Sequence, residues 1–295
     1  MRLIAKKYRY QIVFGVLSVC FLLTSHQANT IFADEKLKPE EVVAKHLESI
    51  GSAEERAAVK TRVIIGVSKY VRRGPGGGTT EGRAVLASEN EKNMLGMKFG
   101  VPGYDIESVG FDGKDLTVGY VAPGVRSPLA SLFRNYESLF KQGLLGGTLS
   151  SSWPLALDSD RAKLRYSGLK KVDGTNLHQL KYQPRKGADM EVSLFFDAET
   201  FRHVRTEYTR VVAANIGTGG VDSSASQRET RYKLVETFGD YRKEANLMLP
   251  HDYKINLEIS GNAEIRDEWT LTLTNFVFNQ PIDPKDFVVD VSVKK

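Results

Sequence analysis

From Thr61 onward the sequence mostly alternates apolar and polar residues at every second position, outside the stretch that begins at Ser127, and is broken at short intervals by Gly, Asp and Asn. Successive side chains of an extended strand point to opposite faces, so this period marks strands with one buried face. "TRVIIGVSKYV" sets Val63, Ile65 and Val67 on one face, and "NMLGMKFG" sets Leu95, Met97 and Phe99 together. "KDLTVGYVAP" alternates Leu116, Val118 and Tyr120, and "MEVSLFFD" alternates Met190, Val192, Leu194 and Phe196. In "EWTLTLTNFVF", Trp269, Leu271 and Leu273 oppose Thr270, Thr272 and Thr274. Asp112-Gly113 and Asp173-Gly174, each flanked by such runs, are hairpin signals. The pattern predicts about ten strands, antiparallel by their short links. No βαβ rhythm, long linker or repeat divides the chain.

Two segments carry a helical period instead. "KPEEVVAKHLESI", Lys38 to Ile50, has Pro39 in its first turn, Glu40 and Glu41 at its positive end, and Gly51 to stop it. Val42, Val43, His46, Leu47 and Ile50 share its packed face, and His46 reads as a packed or half-exposed histidine. A short second turn follows at Ala53 to Val59. "SPLASLFRNYESLFKQG", Ser127 to Gly143, opens on a Ser cap followed by Pro and closes on Gly. Its Leu129, Leu132, Phe133, Tyr136, Leu139 and Phe140 recur at i, i+3, i+4, which predicts one amphipathic helix with a broad apolar face. "GLLGGTLSSSWPLAL" then reads as a loop with a short apolar turn, and Ile216 to Gln227 as a Gly/Ser-rich loop.

Residues 1–33 stand apart. Arg2, Lys6, Lys7 and Arg9 precede an apolar run of twelve, Ile12 to Leu23, and small Ala33 precedes Asp34. That order reads as a secretory signal peptide, since the run is short for a membrane span; an uncleaved anchor is the rival. Either way the chain is expected to work in the periplasm, with 34–295 as one domain. The leader holds four Lys/Arg and no Asp/Glu, so the formal charge of +5 falls to +1 without it (5 − 4). A nucleic-acid partner would need a basic face on the mature domain, and this balance gives it no support. Cys20, the one cysteine, also lies in the leader, where "LSVC" is a loose match to a lipidation site. Residues 34–295 therefore hold no disulfide, thiolate ligand or cysteine nucleophile.

Catalytic signatures are missing as well. His46, His178, His203 and His251 show no metal-binding spacing, and no G-x-S-x-G occurs. The chain is read as a non-enzyme without cofactor or metal. "RRGPGGGTT" invites a phosphate-loop reading, but no lysine follows the last glycine and the next segment is a strand. It is a hairpin tip. Arg72 and Arg73 beside it are solvated cations, or contacts for an anionic headgroup or a protein partner.

The order of parts resembles the LolA/LolB-like periplasmic lipoprotein carriers. Local matches are "FDGKDLTVGYVAP" (Phe111 to Pro123), "GLKKVDGTNLHQLKYQP" (Gly168 to Pro184) and "VSLFFDAETFRHVRTEY" (Val192 to Tyr208). "ETFGDYRKEANLMLPHDYK" (Glu236 to Lys254) and "NQPIDPKDFVVD" (Asn279 to Asp290) complete the series. The resemblance implies an α+β fold: one strongly curved antiparallel sheet, a half-barrel, with helices covering its concave face over an apolar pocket for acyl chains. The expected lining is Leu95, Met97, Phe99, Leu116, Val118, Tyr120, Leu132, Phe133, Tyr136, Leu139 and Phe140; the rival reading makes these residues plain core. Two departures stand out. "SENEKNML" lacks the carriers' Arg-Pro, and Leu116 replaces an aromatic. They point to a binder of lipid or lipoprotein acyl chains rather than to lipoprotein delivery proper, and the chain is expected to be a monomer. An envelope protein-interaction or stress-sensing module on the same fold is the alternative.

Overall fold

Among the described residues, twelve strands, two more than the pattern predicts, form one antiparallel sheet. The computed structural model describes residues 37–74, 77–157, 162–184, 189–213, 229–261 and 264–290. The leader with Cys20, the Pro75-Gly76 tip and the Ile216 to Gln227 loop lie outside these residues. The strands are β1 (Thr61–Arg73), β2 (Gly78–Glu89), β3 (Lys92–Val101), β4 (Tyr104–Phe111), β5 (Leu116–Val118), β6 (Ala162–Val172), β7 (Thr175–Pro184), β8 (Glu191–Asp197), β9 (His203–Val212), β10 (Thr230–Glu244), β11 (Leu247–Ser260) and β12 (Ile265–Phe278).

In space the order is β5-β4-β3-β2-β1-β12-β11-β10-β9-β8-β7-β6. Two meanders, β1–β5 and β6–β12, meet where β1 pairs with β12. The edges of the sheet are therefore β5 and β6, which are consecutive in the chain. The segment between them has to pass from one edge of the sheet to the other, and it carries most of the non-strand core.

Local chemistry accounts for the turns. Asp173 and Gly174 both have positive φ, as do Ala245 and Asn246 between β10 and β11, the geometry that matches strand twist in two-residue hairpins. In the turn after β8, the Asp197 carboxylate accepts hydrogen bonds from the Glu199 and Thr200 amides.

β1 corrects one expectation. Its inward residues are Ile64, Gly66, Ser68 and Tyr70, whereas Val67 is 59% exposed and Ile65 41%. The strand is apolar in both phases, so periodicity alone does not choose its face. The register of β1 against β12 also shifts between Ile65 and Gly66. A Cβ on Gly66 would lie 2.1 Å from the Thr272 carbonyl oxygen, so glycine permits that close approach.

Helix α1 (Pro39–Ile50) buries Val42, His46 and Ile50, and α2 (Ala53–Ala58) follows with a Ser52–Glu55 capping box. The predicted helix over Ser127 to Gly143 is two pieces, α3 (Pro128–Asn135) and α4 (Glu137–Phe140). Ser127 caps α3 by accepting the Ala130 amide at 2.9 Å. Tyr136, at φ −118° and ψ 34°, breaks the run. Residues seven apart on a continuous helix are separated by about 10 Å along its axis. Here the Phe133 and Phe140 rings meet edge to face at 4.5 Å, an arrangement that the break favours.

Candidate functional site

The inward phases of the strands and the segment joining β5 to β6 form one apolar interior. Eight of the expected lining residues are buried in it: Leu95, Met97, Phe99, Val118, Leu132, Phe133, Leu139 and Phe140. Leu116 and Tyr136 are half-buried against it. Tyr120 is elsewhere, its ring under the Arg126 guanidinium at 3.9 Å. The structure thus brings ten of the eleven together.

Sequence reading assigned little to Gly143–Leu155, yet every residue there except Ser151 is buried. Its one helical turn, Gly147–Leu149, is 3-10. Polar contacts fasten this segment to the sheet. The Glu236 carboxylate, fully buried on β10, accepts the Gly146 amide at 2.8 Å, the Tyr253 hydroxyl at 2.5 Å and the Tyr208 hydroxyl at 2.7 Å. Burial pushes the Glu236 pKa up, and these three donors oppose that shift. Asn93 donates to the Ser152 hydroxyl at 3.1 Å, and the Ser151 amide donates to Ser88 at 2.9 Å.

Trp153 locks the other side. Its indole N–H donates to His46 Nε2 at 3.0 Å, so His46 Nδ1 carries the proton and donates to the Phe201 carbonyl at 3.1 Å. Both ring nitrogens of His46 are engaged in the neutral form, and burial draws its pKa down to about 4. The Trp153 ring stacks on His203 at 4.6 Å. His203 is also held neutral by burial, its pKa pulled well below the ordinary value.

At another part of the interior the rings of Tyr104, Tyr70 and Trp269 stack, with centroids 4.3 and 5.3 Å apart. Glu107 accepts the Tyr104 hydroxyl at 2.7 Å and the Ser127 hydroxyl at 2.8 Å, and burial raises its pKa to about 7. Arg72 ends this cluster with a two-pronged pair to the buried Asp267, at 2.9 and 2.8 Å. Arg73 lies 3.5 Å from Glu268 and is exposed. Glu107, Glu236 and Asp267 had a signal in the sequence: each is an acid in the inward phase of its strand. Leu234 and Phe238 flank Glu236 at two residues' distance, and Trp269 follows Asp267 at the same distance.

Open volume lies at the β6 edge. A hollow of about 780 Å³ is lined by apolar Leu164, Tyr182, Pro184, Met190 and Val192, and by Lys163, Arg165, Lys181, Gln183, Asp189 and Glu191. Lys181 pairs with Glu191 at 3.2 Å and Asp189 with Arg210 at 2.7 Å. Lys163 and Arg165 have no ion pair among the described residues. The Tyr182 hydroxyl donates to Gln142 at 2.9 Å, which ties this hollow to the segment after α4. None of the expected lining residues borders it. A gap lined by Leu86, Leu95, Leu145 and Leu149 holds only about 10 Å³, so the interior beneath Gly143–Leu155 is closed there. Among the described residues, no three His, Cys, Asp or Glu side chains are placed to hold a metal.

No family model matches the chain, and no curated protein matches it. Among solved structures it is similar to a LolA superfamily protein from Nitrosomonas europaea, at 13% identity over 86% of this chain and 98% of that one, with a TM-score of 0.46. It is similar to a DUF1329 family protein from Desulfovibrio piger, at 10% identity over 85% and 98%, with a TM-score of 0.45. It is also similar to a domain from Vibrio parahaemolyticus described as an outer membrane lipoprotein-sorting protein, at 14% identity over 83% and 97%, with a TM-score of 0.43.

Proposed function

We propose that this chain is a non-enzymatic binder and carrier of lipids or acylated ligands in the cell envelope, as the leader and the resemblance in its sequence imply. The hollow at the β6 edge carries the reading. Its apolar floor is Leu164, Tyr182, Met190 and Val192, and Lys163 and Arg165, without an ion pair among the described residues, stand beside it. Such a hollow suits an amphipathic ligand with an acyl chain and an acidic head. Burying each methylene contributes about 0.8 kcal/mol, so a chain of ordinary length supplies the binding energy without a catalytic group. Its volume is within the roughly 300–1,000 Å³ of small-molecule sites. In this reading the apolar interior under α3, α4 and Gly143–Leu155 is the closed state of a larger chamber, opened when that segment lifts.

The test is solvent extraction and mass spectrometry of the protein purified from the envelope, together with titration of a fluorescent fatty acid. Co-purifying acyl lipid is expected, and Leu164→Glu, at a half-buried position, should lower both its amount and probe affinity by tenfold or more. A protein that carries no lipid and ignores the probe refutes the carrier reading. Retrieval of a protein partner by that empty protein favours the interaction-module alternative.

A further inference from the structure

Among the described residues, Arg62 is a buried cation without a counter-ion. It lies near the start of β1 and is 7% exposed. Its Nη1 donates to the Thr148 carbonyl at 2.7 Å, while its buried Nε has no partner. Desolvation alone draws its pKa down to about 10, with no carboxylate holding it up. A guanidinium taken out of water is costly unless an anion and full hydrogen bonding accompany it. Residues this polar are almost never fully buried unpaired.

Arg62 borders a hollow of about 260 Å³ between α2, the start of β1 and the segment after the 3-10 turn. Arg56 and Lys60 border it too, together with Ser150, Ser151 and Asn90, and among the described residues its lining includes no Asp or Glu. Arg56 uses Nη1 to hold the carbonyls of Leu47 and Gly51 at the end of α1, which fixes its charge in place. Neither Arg56 nor Lys60 has an ion pair among the described residues. Among the described residues, three cations thus border a small space with hydroxyl and amide groups and no carboxylate. The hollow shares no residue with the one at the β6 edge.

We propose that this hollow is a binding site for a phosphate-type oxyanion, with Arg62 as its buried anchor and Lys60 and Arg56 at its mouth. The Arg62 guanidinium donors that Thr148 does not use supply charge-assisted hydrogen bonds to the oxygens of such a group. The ligand is either a free phosphate compound or the phosphate headgroup of a lipid. The site stands on its own residues and holds whether or not the β6 hollow takes acyl chains.

Isothermal titration tests it with three probes: inorganic phosphate, glycerol 3-phosphate and a short-chain phosphatidic acid. The wild-type protein should bind at least one of them. Arg62→Met should weaken that binding tenfold or more, Lys60→Gln by a few-fold, and Lys254→Gln, at an exposed position of β11 outside both hollows, not at all. Arg62→Met should also unfold at a temperature equal to or above that of the wild type, because it removes an unpaired buried charge; the bound probe should raise the midpoint of the wild type only. If Arg62→Met does not fold, Lys60→Gln and Arg56→Gln carry the comparison. Equal binding of all three probes identifies free phosphate compounds as the ligand class, and binding of phosphatidic acid alone, lost in Arg62→Met, identifies a lipid headgroup. No binding of any probe at millimolar concentration, or binding unchanged in every hollow variant, overturns the proposal.

Discussion

Trp153 and Gly147 show how much of the interior rests on single residues of an aperiodic segment. Trp153 fills core volume and supplies the one hydrogen bond that His46 Nε2 accepts. Trp153→Phe keeps an aromatic ring there but leaves that nitrogen buried and unsatisfied. A loss of about 1–3 kcal/mol is expected from the orphaned acceptor, beyond the smaller ring, and urea denaturation measures it. Gly147 has φ +51°, and a Cβ there would lie 2.8 Å from His203 Nδ1 and 2.9 Å from the Phe238 ring. Gly147→Ala therefore combines a left-handed backbone with a clash against fully packed rings, and should cost more than about 1 kcal/mol in the same assay. A Gly147→Ala protein as stable as the wild type would mean that this turn is not packed on His203. Neither residue was legible as important from its neighbours. "GLLGGTLSSSWPLAL" has no period, and hydrophobic periodicity is what a single sequence offers for locating a core.

Among the elements, strands were easier to read than covers. Turn chemistry placed Asp173-Gly174 correctly because positive φ at both positions follows from those residue types. The inward face of β1 was not readable, since Val63 and Ile65 are as apolar as the buried Ile64. The break at Tyr136 was hidden too, because α3 and α4 keep a helical period across it. That break and the aperiodic run after it set up a difference in local stability. Residues 127–157 pair with no strand of the sheet beyond side-chain and single backbone contacts, whereas β10, β11 and β12 form long continuous ladders. Opening the cover breaks apolar contacts and a few hydrogen bonds, and opening the ladders breaks the fold. Hydrogen exchange followed by mass spectrometry should show the amides of 127–157 exchanging well before those of β10–β12. Simultaneous exchange of both regions would mean that the cover does not open by itself, and the chamber envisaged beneath it would have to stay shut.

Across the whole molecule, the antiparallel character and helical cover were legible in the alternation and the turns, while the buried polar groups that fasten the cover were visible only as odd residues in an apolar phase. Those groups titrate in opposed pairs. His46 has its pKa lowered from 6.5 to about 4, and Glu107 has its pKa raised from 4.5 to about 7. Between pH 4.5 and 6.5 the unfolded chain takes up a proton at His46 that the folded chain refuses, so this histidine makes stability rise with pH. Over the same range the folded chain keeps a proton on Glu107 that the unfolded chain has released, so this carboxyl makes stability fall with pH. Each effect amounts to about 3 kcal/mol, and their signs oppose. His203, lowered, and Glu236, raised, form a second opposed pair. The wild-type protein should therefore be nearly level in stability from pH 4.5 to 6.5, where an ordinary buried histidine would leave a visible slope. Glu107→Gln removes one side of the balance. Its unfolding free energy in urea should climb by about 3 kcal/mol across that window as the histidines lose their protons. A variant whose pH profile runs parallel to the wild type would show that Glu107 is ionised in the folded protein, and that the charge buried between Tyr104 and Ser127 is tolerated without a proton.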